Sequence, residues 1–282
     1  MSIQTVGVVG VGQMGSGIVE VCARAGLNVV AREINQELLD RGMNYLKKSF
    51  GKGVERGKLA QAEADAALSR ITSTLQLTDF ARCDLVVEAA TENMQLKKTL
   101  FTELDMICQP DAILASNTSS LSITEIASAT QRPDKVVGLH FFNPVPVMPL
   151  IEIVRGLLTS DETLEEVRQL GPLFNKQLVF AKDNPGFIVN LLLVPYLFDA
   201  VRALEYGVAT KEDIDTAIKL GLNHPMGPFT LMDFVGLDTC LFIGDAMYNE
   251  FKDARYAAPP LLRRMVTAGL FGRKSGRGFY SY

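Results

Sequence analysis

The sequence predicts two domains: an α/β domain built on a doubly wound parallel sheet, then an all-helical domain. Three observations carry this. Short β-branched runs alternate with longer amphipathic segments from Thr5 to about Phe180, and strands alternating with helices make a parallel sheet. A glycine-rich turn follows the first β-branched run. The alternation stops at Lys182-Asp183-Asn184-Pro185-Gly186, beyond which almost every segment has helical spacing. The boundary therefore falls near residue 183, dividing the chain into residues 1–183 and 184–282.

Taken in order, Thr5–Gly10 reads as a strand, Gln13–Ala25 as a helix and Leu27–Arg32 as a second strand. Asn35–Arg56 and Leu59–Leu68 are rich in Leu, Met, Lys and Glu at helical spacing. Asp84–Ala89, Ala112–Ala115 and Lys135–His140 are further strands. Between them Glu92–Ile107 is a helix, with Leu96, Leu100, Leu104 and Ile107 on one stripe. The second domain has helices over Phe187–Tyr206, Lys211–Lys219, Gly227–Glu250 in one or two pieces, and Pro260–Gly269. Pro195 lies inside the first of these and predicts a kink or break.

Bulk properties exclude several classes. The 282 residues carry 48% hydrophobic and 21% charged side chains, the balance of a globular protein. A net charge of −4 argues against a nucleic-acid partner, which would require a basic face. Cys22, Cys83, Cys108 and Cys240 are isolated and only two histidines accompany them, so neither a disulfide framework nor a metal site is expected and a reducing cytoplasm fits. The charge-free stretches Val136–Ile151 and Asn184–Phe198 are shorter than a membrane span and contain proline, which predicts buried interior and a soluble protein with no membrane partner.

Gly10-Val11-Gly12-Gln13-Met14-Gly15 is a G-x-G-x-x-G turn between a strand and a helix. In such a turn the first glycine allows the tight bend, the second admits pyrophosphate to the backbone, and the third lets helix and sheet approach. The helix N-terminus supplies amides to the phosphates. Glu33 ends the second strand, 18 positions after Gly15, where a carboxylate accepts from the ribose hydroxyls of NAD and repels the 2′-phosphate of NADP. Arg32 beside it runs against this, because an adjacent guanidinium would welcome the 2′-phosphate of NADP. Together these predict a Rossmann-like domain that binds NAD.

Five further motifs carry a family resemblance. They are Ala115–Ile123 (ASNTSSLSI), Gly138–Pro144 (GLHFFNP), Pro185–Asn190 (PGFIVN), Asn223–Pro228 (NHPMGP) and Gly272–Tyr280 (GRKSGRGFY). In this order they resemble the 3-hydroxyacyl-CoA dehydrogenase family over essentially the whole chain. The resemblance implies hydride transfer between NAD and C3 of a short-chain (S)-3-hydroxyacyl-CoA, as in the bacterial 3-hydroxybutyryl-CoA members. It implies His140 as general base, with Glu152 holding and polarising it. The chemistry agrees, because alcohol oxidation must remove a proton from oxygen and imidazole titrates near working pH. A carboxylate on the far ring nitrogen fixes the tautomer. Glu152 lies beyond a proline-rich turn, so a hairpin-like return would bring the two together.

The resemblance also implies Ser119 and Asn190 beside the substrate oxygens and the nicotinamide. Asn190, just past the boundary, would put the chemistry in an interdomain cleft. Ser119 and Asn190 also have simpler readings as helix caps. Glu92, Lys97, Asn143 and Lys274 resemble cofactor-contacting positions, a solvated face being the simpler but less favoured reading of the two lysines. Ser49, Lys52 and Arg56 stand where family members contact coenzyme A. Lys52 and Arg56 are four apart on one helical face, a spacing suited to phosphates and equally to a merely solvated basic face. Arg56 departs from the commoner lysine, and Gly51 and Gly53 lie inside this helix. His224 reads as structural in its glycine- and proline-rich loop.

The runner-up is a related dehydrogenase of a free hydroxy acid or sugar acid, which would lack the basic helix. A non-catalytic NAD-binding protein would be expected to have lost His140, Glu152, Ser119 or Asn190. The surplus of apolar residues after Gly186, including Leu191, Leu192, Leu193, Leu197, Leu231, Phe234 and Leu237, predicts a homodimer through the helical domain.

Overall fold

Strands of four to six residues form an eight-stranded sheet with the order β3-β2-β1-β4-β5-β6-β7-β8 in the computed structural model, which describes residues 3–282. They are β1 (Thr5–Val9), β2 (Asn28–Arg32), β3 (Ile71–Thr74), β4 (Leu85–Glu88), β5 (Ile113–Ser116), β6 (Val136–Phe141), β7 (Leu150–Arg155) and β8 (Gln177–Lys182). The order reverses between β1 and β4, so the sheet is doubly wound with a switch point there. All pairings are parallel except β6 with β7. The sheet is thus mixed rather than all parallel, because β6 returns through a short loop instead of a crossover helix.

Helices α1 (Gln13–Arg24), α2 (Gln36–Glu55) and α3 (Gln61–Ser69) pack on one another, as do α4 (Met94–Ile107) and α5 (Ile123–Ala127). The short α6 (Asp161–Arg168) and α7 (Leu170–Leu173) precede β8. Alternate strand residues point to opposite faces. Val6, Val8, Leu85, Val87, Ile113, Ala115, Leu139 and Ile151 share a core cluster with α1 to α3. Asn35 caps α2 by accepting from the Leu38 amide at 2.9 Å, and the helix runs through Gly51 and Gly53 to Glu55. In α4 the buried face is Lys97, Phe101 and Leu104. Leu96 is exposed, so the expected leucine stripe is displaced by one position, toward a face anchored by a buried ion pair.

The first compact unit ends at Asn184 and the second runs Pro185–Tyr282. The second is helical: α8 (Val189–Glu205), α9 (Lys211–Gly221), α10 (Pro228–Val235), α11 (Leu237–Phe251) and α12 (Pro260–Thr267). Its core gathers Val194, Leu197, Phe198, Val201, Phe229, Met232, Leu237 and Leu262. Of the expected kink or break, no break occurs: α8 is continuous through Pro195. Proline forfeits one helical hydrogen bond; the packing of α8 on α10, α11 and α12 outweighs that loss.

Candidate active site

The glycine turn sits between the ends of β1 and β4. Gly10 has φ +86°, and a Cβ there would lie 2.9 Å from the Ala89 carbonyl oxygen that follows β4. A Cβ on Gly15 would lie within bonding distance of the Gly10 carbonyl, so strand and helix close up only without one. A Cβ on Gly12 would meet nothing. That open side is where the motif admits a pyrophosphate. No side chain caps α1 and its first turn holds no acid, so its amides face outward beside a positive helix end. Glu33 accepts the Val11 amide at 2.7 Å and so stands against the glycine turn. Arg32 instead turns its Nε to the Leu75 carbonyl, 3.3 Å away. A dinucleotide fits this cradle. Met14, half-buried, opens α1 beside Gln13.

The remaining polar groups line the opposite sheet face. Val87, Ala115, Leu139, Phe141, Ile151 and Ile153 belong to the α1 side, so by the period of two Glu88, Ser116, His140 and Glu152 project from the other. Register aligns Glu88 with Ser116, Ser116 with Gly138, and His140 with Glu152. Antiparallel pairing of β6 and β7 makes His140 and Glu152 directly opposed, and Nδ1 lies 2.6 Å from Glu152 Oε2. Both side chains are buried, at 6% and 0% exposure. The hairpin-like return supplies this contact. Phe142 stacks obliquely on the imidazole at 4.6 Å between centroids.

Ser119 lies in the segment between β5 and α5, and Glu92 organises that segment. Its carboxylate accepts from the Ser119 amide at 2.7 Å and the Thr118 hydroxyl at 2.8 Å. The α5 cap is Ser122, not Ser119, with Asp183 accepting from the Ile123 and Thr124 amides at 2.9 and 2.7 Å. Asn117 accepts the Phe141 amide at 2.9 Å, tying this segment to the residue after His140.

Lys97 is not on a solvated face. Only 3% exposed, it bonds both Glu88 oxygens at 2.8 and 2.6 Å, with Glu92 Oε2 at 3.6 Å. Glu88 also accepts from Ser116 Oγ and the Ala90 amide, at 2.7 and 2.8 Å. Sequence reading missed Glu88. The available signal was a carboxylate inside an apolar strand run, which must be paired when buried.

Asn143 accepts from Gln13 Nε2 at 3.2 Å, linking the segment after β6 to the glycine turn. Ser49 is half-buried on α2; Lys52 is exposed and Arg56 occupies the exposed C-cap position, just past the helix proper. In the second unit Asn190 is buried in the first turn of α8 rather than capping it, the cap position being Ile188. Lys274 bonds Asp238 at 2.6 Å. His224 is exposed, its ring edge-on to Tyr196 at 6.2 Å.

Comparison with known proteins matches the same division. The model for the 3-hydroxyacyl-CoA dehydrogenase NAD binding domain covers residues 5–184, and that for the family's C-terminal domain covers 186–282. A 3-hydroxybutyryl-CoA dehydrogenase of Mycobacterium tuberculosis is 51% identical over 283 residues, spanning 100% of this chain and 99% of that protein. The crystal structure of FadB2 from M. tuberculosis superposes with a TM-score of 0.98 at 51% identity, covering 100% of both chains. (S)-3-hydroxybutyryl-CoA dehydrogenase PaaH1 from Ralstonia eutropha gives 0.95 at 45%, over 100% of this chain and 99% of that one. The glycine cradle, the opposed histidine and glutamate, and these full-length matches make the chain a member of the 3-hydroxyacyl-CoA dehydrogenase family and an NAD-dependent oxidoreductase.

Proposed function

We propose that the protein interconverts a short-chain (S)-3-hydroxyacyl-CoA and its 3-ketoacyl-CoA, with acetoacetyl-CoA and 3-hydroxybutyryl-CoA as the pair. The observation that carries this reading is the 2.6 Å contact between His140 Nδ1 and Glu152 Oε2. A carboxylate can only accept there, so Nδ1 carries the hydrogen and Nε2 is the basic nitrogen. His140 takes the proton of the 3-hydroxyl in oxidation and returns it to the 3-keto oxygen in reduction. Glu152 stabilises the imidazolium formed between those moments. Gly10, Gly12, Gln13, Met14, Gly15 and Glu33 hold NAD, with Glu92, Lys97, Asn143 and Lys274 contributing; when bound, the cofactor carries the hydride. Ser119 and Asn190 donate to the substrate oxygen. Ser49, Lys52 and Arg56 meet the coenzyme A phosphates, a role for which the exposure of both cations leaves them available. The working protein is a cytoplasmic homodimer assembled through the helical domain, and its pathways are fatty-acid and butanoate metabolism.

The test is turnover of acetoacetyl-CoA against free acetoacetate, with NADH and with NADPH. A strong preference for the thioester and for NADH is expected; equal rates on the free acid would refute the thioester assignment. His140→Ala should lower kcat by about 10²- to 10⁴-fold while NADH still binds. Near wild-type turnover in that variant would refute the acid–base role.

A further inference from the structure

The segment Phe142–Pro149 joins the strand of His140 to the strand of Glu152. Pro144, Pro146 and Pro149 remove three amide donors from it. Its shape therefore depends on what takes its carbonyls and what packs against it. The Pro144 carbonyl accepts from the Val147 and Met148 amides, each at 3.0 Å. The Val145 and Met148 carbonyls both accept from one atom, Lys176 Nζ, at 2.7 and 2.6 Å. Lys176 stands in the turn between α7 and β8, and the next residue, Gln177, donates its amide to Pro149 at 2.7 Å.

On its other side the segment leans on the cofactor helix. Val145 is buried, and its Cβ lies 2.7 Å from where a Cβ on Gly17 would stand. Gly17 belongs to α1, whose Gln13 reaches Asn143. The segment is thus held between α1 and a single ammonium. That ammonium has neutral carbonyls as partners rather than a carboxylate. Burial, with the Arg24 guanidinium adding to it, pulls its pKa below the usual lysine value. The two carbonyl bonds tie this partly buried cation directly to the segment.

We propose that Lys176 is a positioning residue for catalysis, pinning the segment that sets Phe142 against the His140 imidazole and Asn143 beside the glycine turn. The ladder between β6 and β7 sets the register of His140 and Glu152, but Phe142 and Asn143 lie beyond it. Their placement follows the pinned carbonyls. The role rests on the acid–base reading of His140 above.

The experiment compares Lys176→Met, Lys176→Gln and Lys176→Arg with wild type. It reads kcat and KM for acetoacetyl-CoA with NADH, and amide hydrogen exchange at Val147 and Met148. Lys176→Met should lower kcat roughly 10- to 100-fold, as for a misplaced catalytic group. KM for the thioester should change less than about twofold, and exchange at both amides should accelerate. Lys176→Arg, which can still donate to both carbonyls, should regain most of the loss. If Lys176→Met does not fold, Lys176→Gln, keeping a weaker donor, makes the same comparison. Unchanged kcat in a folded Met or Gln variant overturns the proposal, as does a loss that Lys176→Arg fails to recover. Should wild type itself not reduce acetoacetyl-CoA, the functional reading fails, while the exchange rates still decide whether Lys176 holds the segment.

Discussion

Cys22, Cys83, Cys108 and Cys240 are each exposed by 5% or less. Burial pushes their thiols up to about 12, 12, 11 and 12. The thiolate is the reactive form, so native protein at pH 8 presents neither thiolate nor access. A disulfide-exchange reagent should titrate none of the four rapidly in native protein and all four in guanidinium; rapid reaction of any native thiol would contradict this. The sign of the pH effect follows from the same values. Folded thiols keep protons that unfolded chains release above the ordinary value of 9.0. Their contribution to stability is complete below pH 9 and lost as pH rises toward 11–12. The lack of any partner motif argued against a disulfide framework, but nothing in the sequence marked the four cysteines as buried. Lys97 was not legible as buried, because a lysine on an amphipathic helix ordinarily reaches water and nothing local identified Glu88 as its partner.

Among the elements, the buried bonds of Glu88 join β4, β5 and α4 beneath the Ser119 segment. Removing one member of a buried pair leaves a charge without its counterion. Glu88→Gln should therefore destabilise the protein by about 3–5 kcal/mol, toward the lower end because Glu92 remains 3.6 Å from Lys97. Glu88→Gln with Lys97→Met should recover much of that loss, since neither charge remains. Denaturation midpoints check both, and a Glu88→Gln midpoint equal to wild type would rule the account out. Period and punctuation made most elements of this sheet legible. The exceptions are the two edge strands, β3 (Ile-Thr-Ser-Thr), with little apolar alternation to see, and β8 (Gln-Leu-Val-Phe-Ala-Lys), which no strand in the sequence reading covers. The leucine stripe of α4 misled for a related reason: spacing reports which residues share a face, not which face is buried. At β6 and β7 the proline-rich turn did reveal the return that opposes His140 and Glu152, because prolines that cannot continue a helix leave a short reversal as the simplest path.

On the scale of the whole molecule, the second unit satisfies its own core yet leaves much apolar surface uncovered. Leu197 and Leu237 are buried as their spacing predicts, but Leu192, Val208, Leu220 and Leu222 are 65%, 72%, 75% and 58% exposed, and Phe234 and Phe242 are also in contact with solvent. Scattered exposed leucines are ordinary, and this many within one helical unit of 98 residues, 185–282, are the apolar surface that the proposed homodimer would bury. A second copy of the chain is the simplest cover, since one self-complementary patch closes a twofold dimer. Light scattering at micromolar concentration should therefore give twice the chain mass of 30.8 kDa. Leu220→Glu with Leu222→Glu should bring the mass to that of one chain. Because both side chains are exposed, each change should alter the stability of the isolated chain by no more than about 0.5 kcal/mol. Far-UV circular dichroism and NADH binding should consequently persist in the monomeric variant, which separates lost assembly from lost folding. A wild-type mass of one chain would remove the dimer, and an unchanged dimer in the double variant would move the interface away from Leu220 and Leu222.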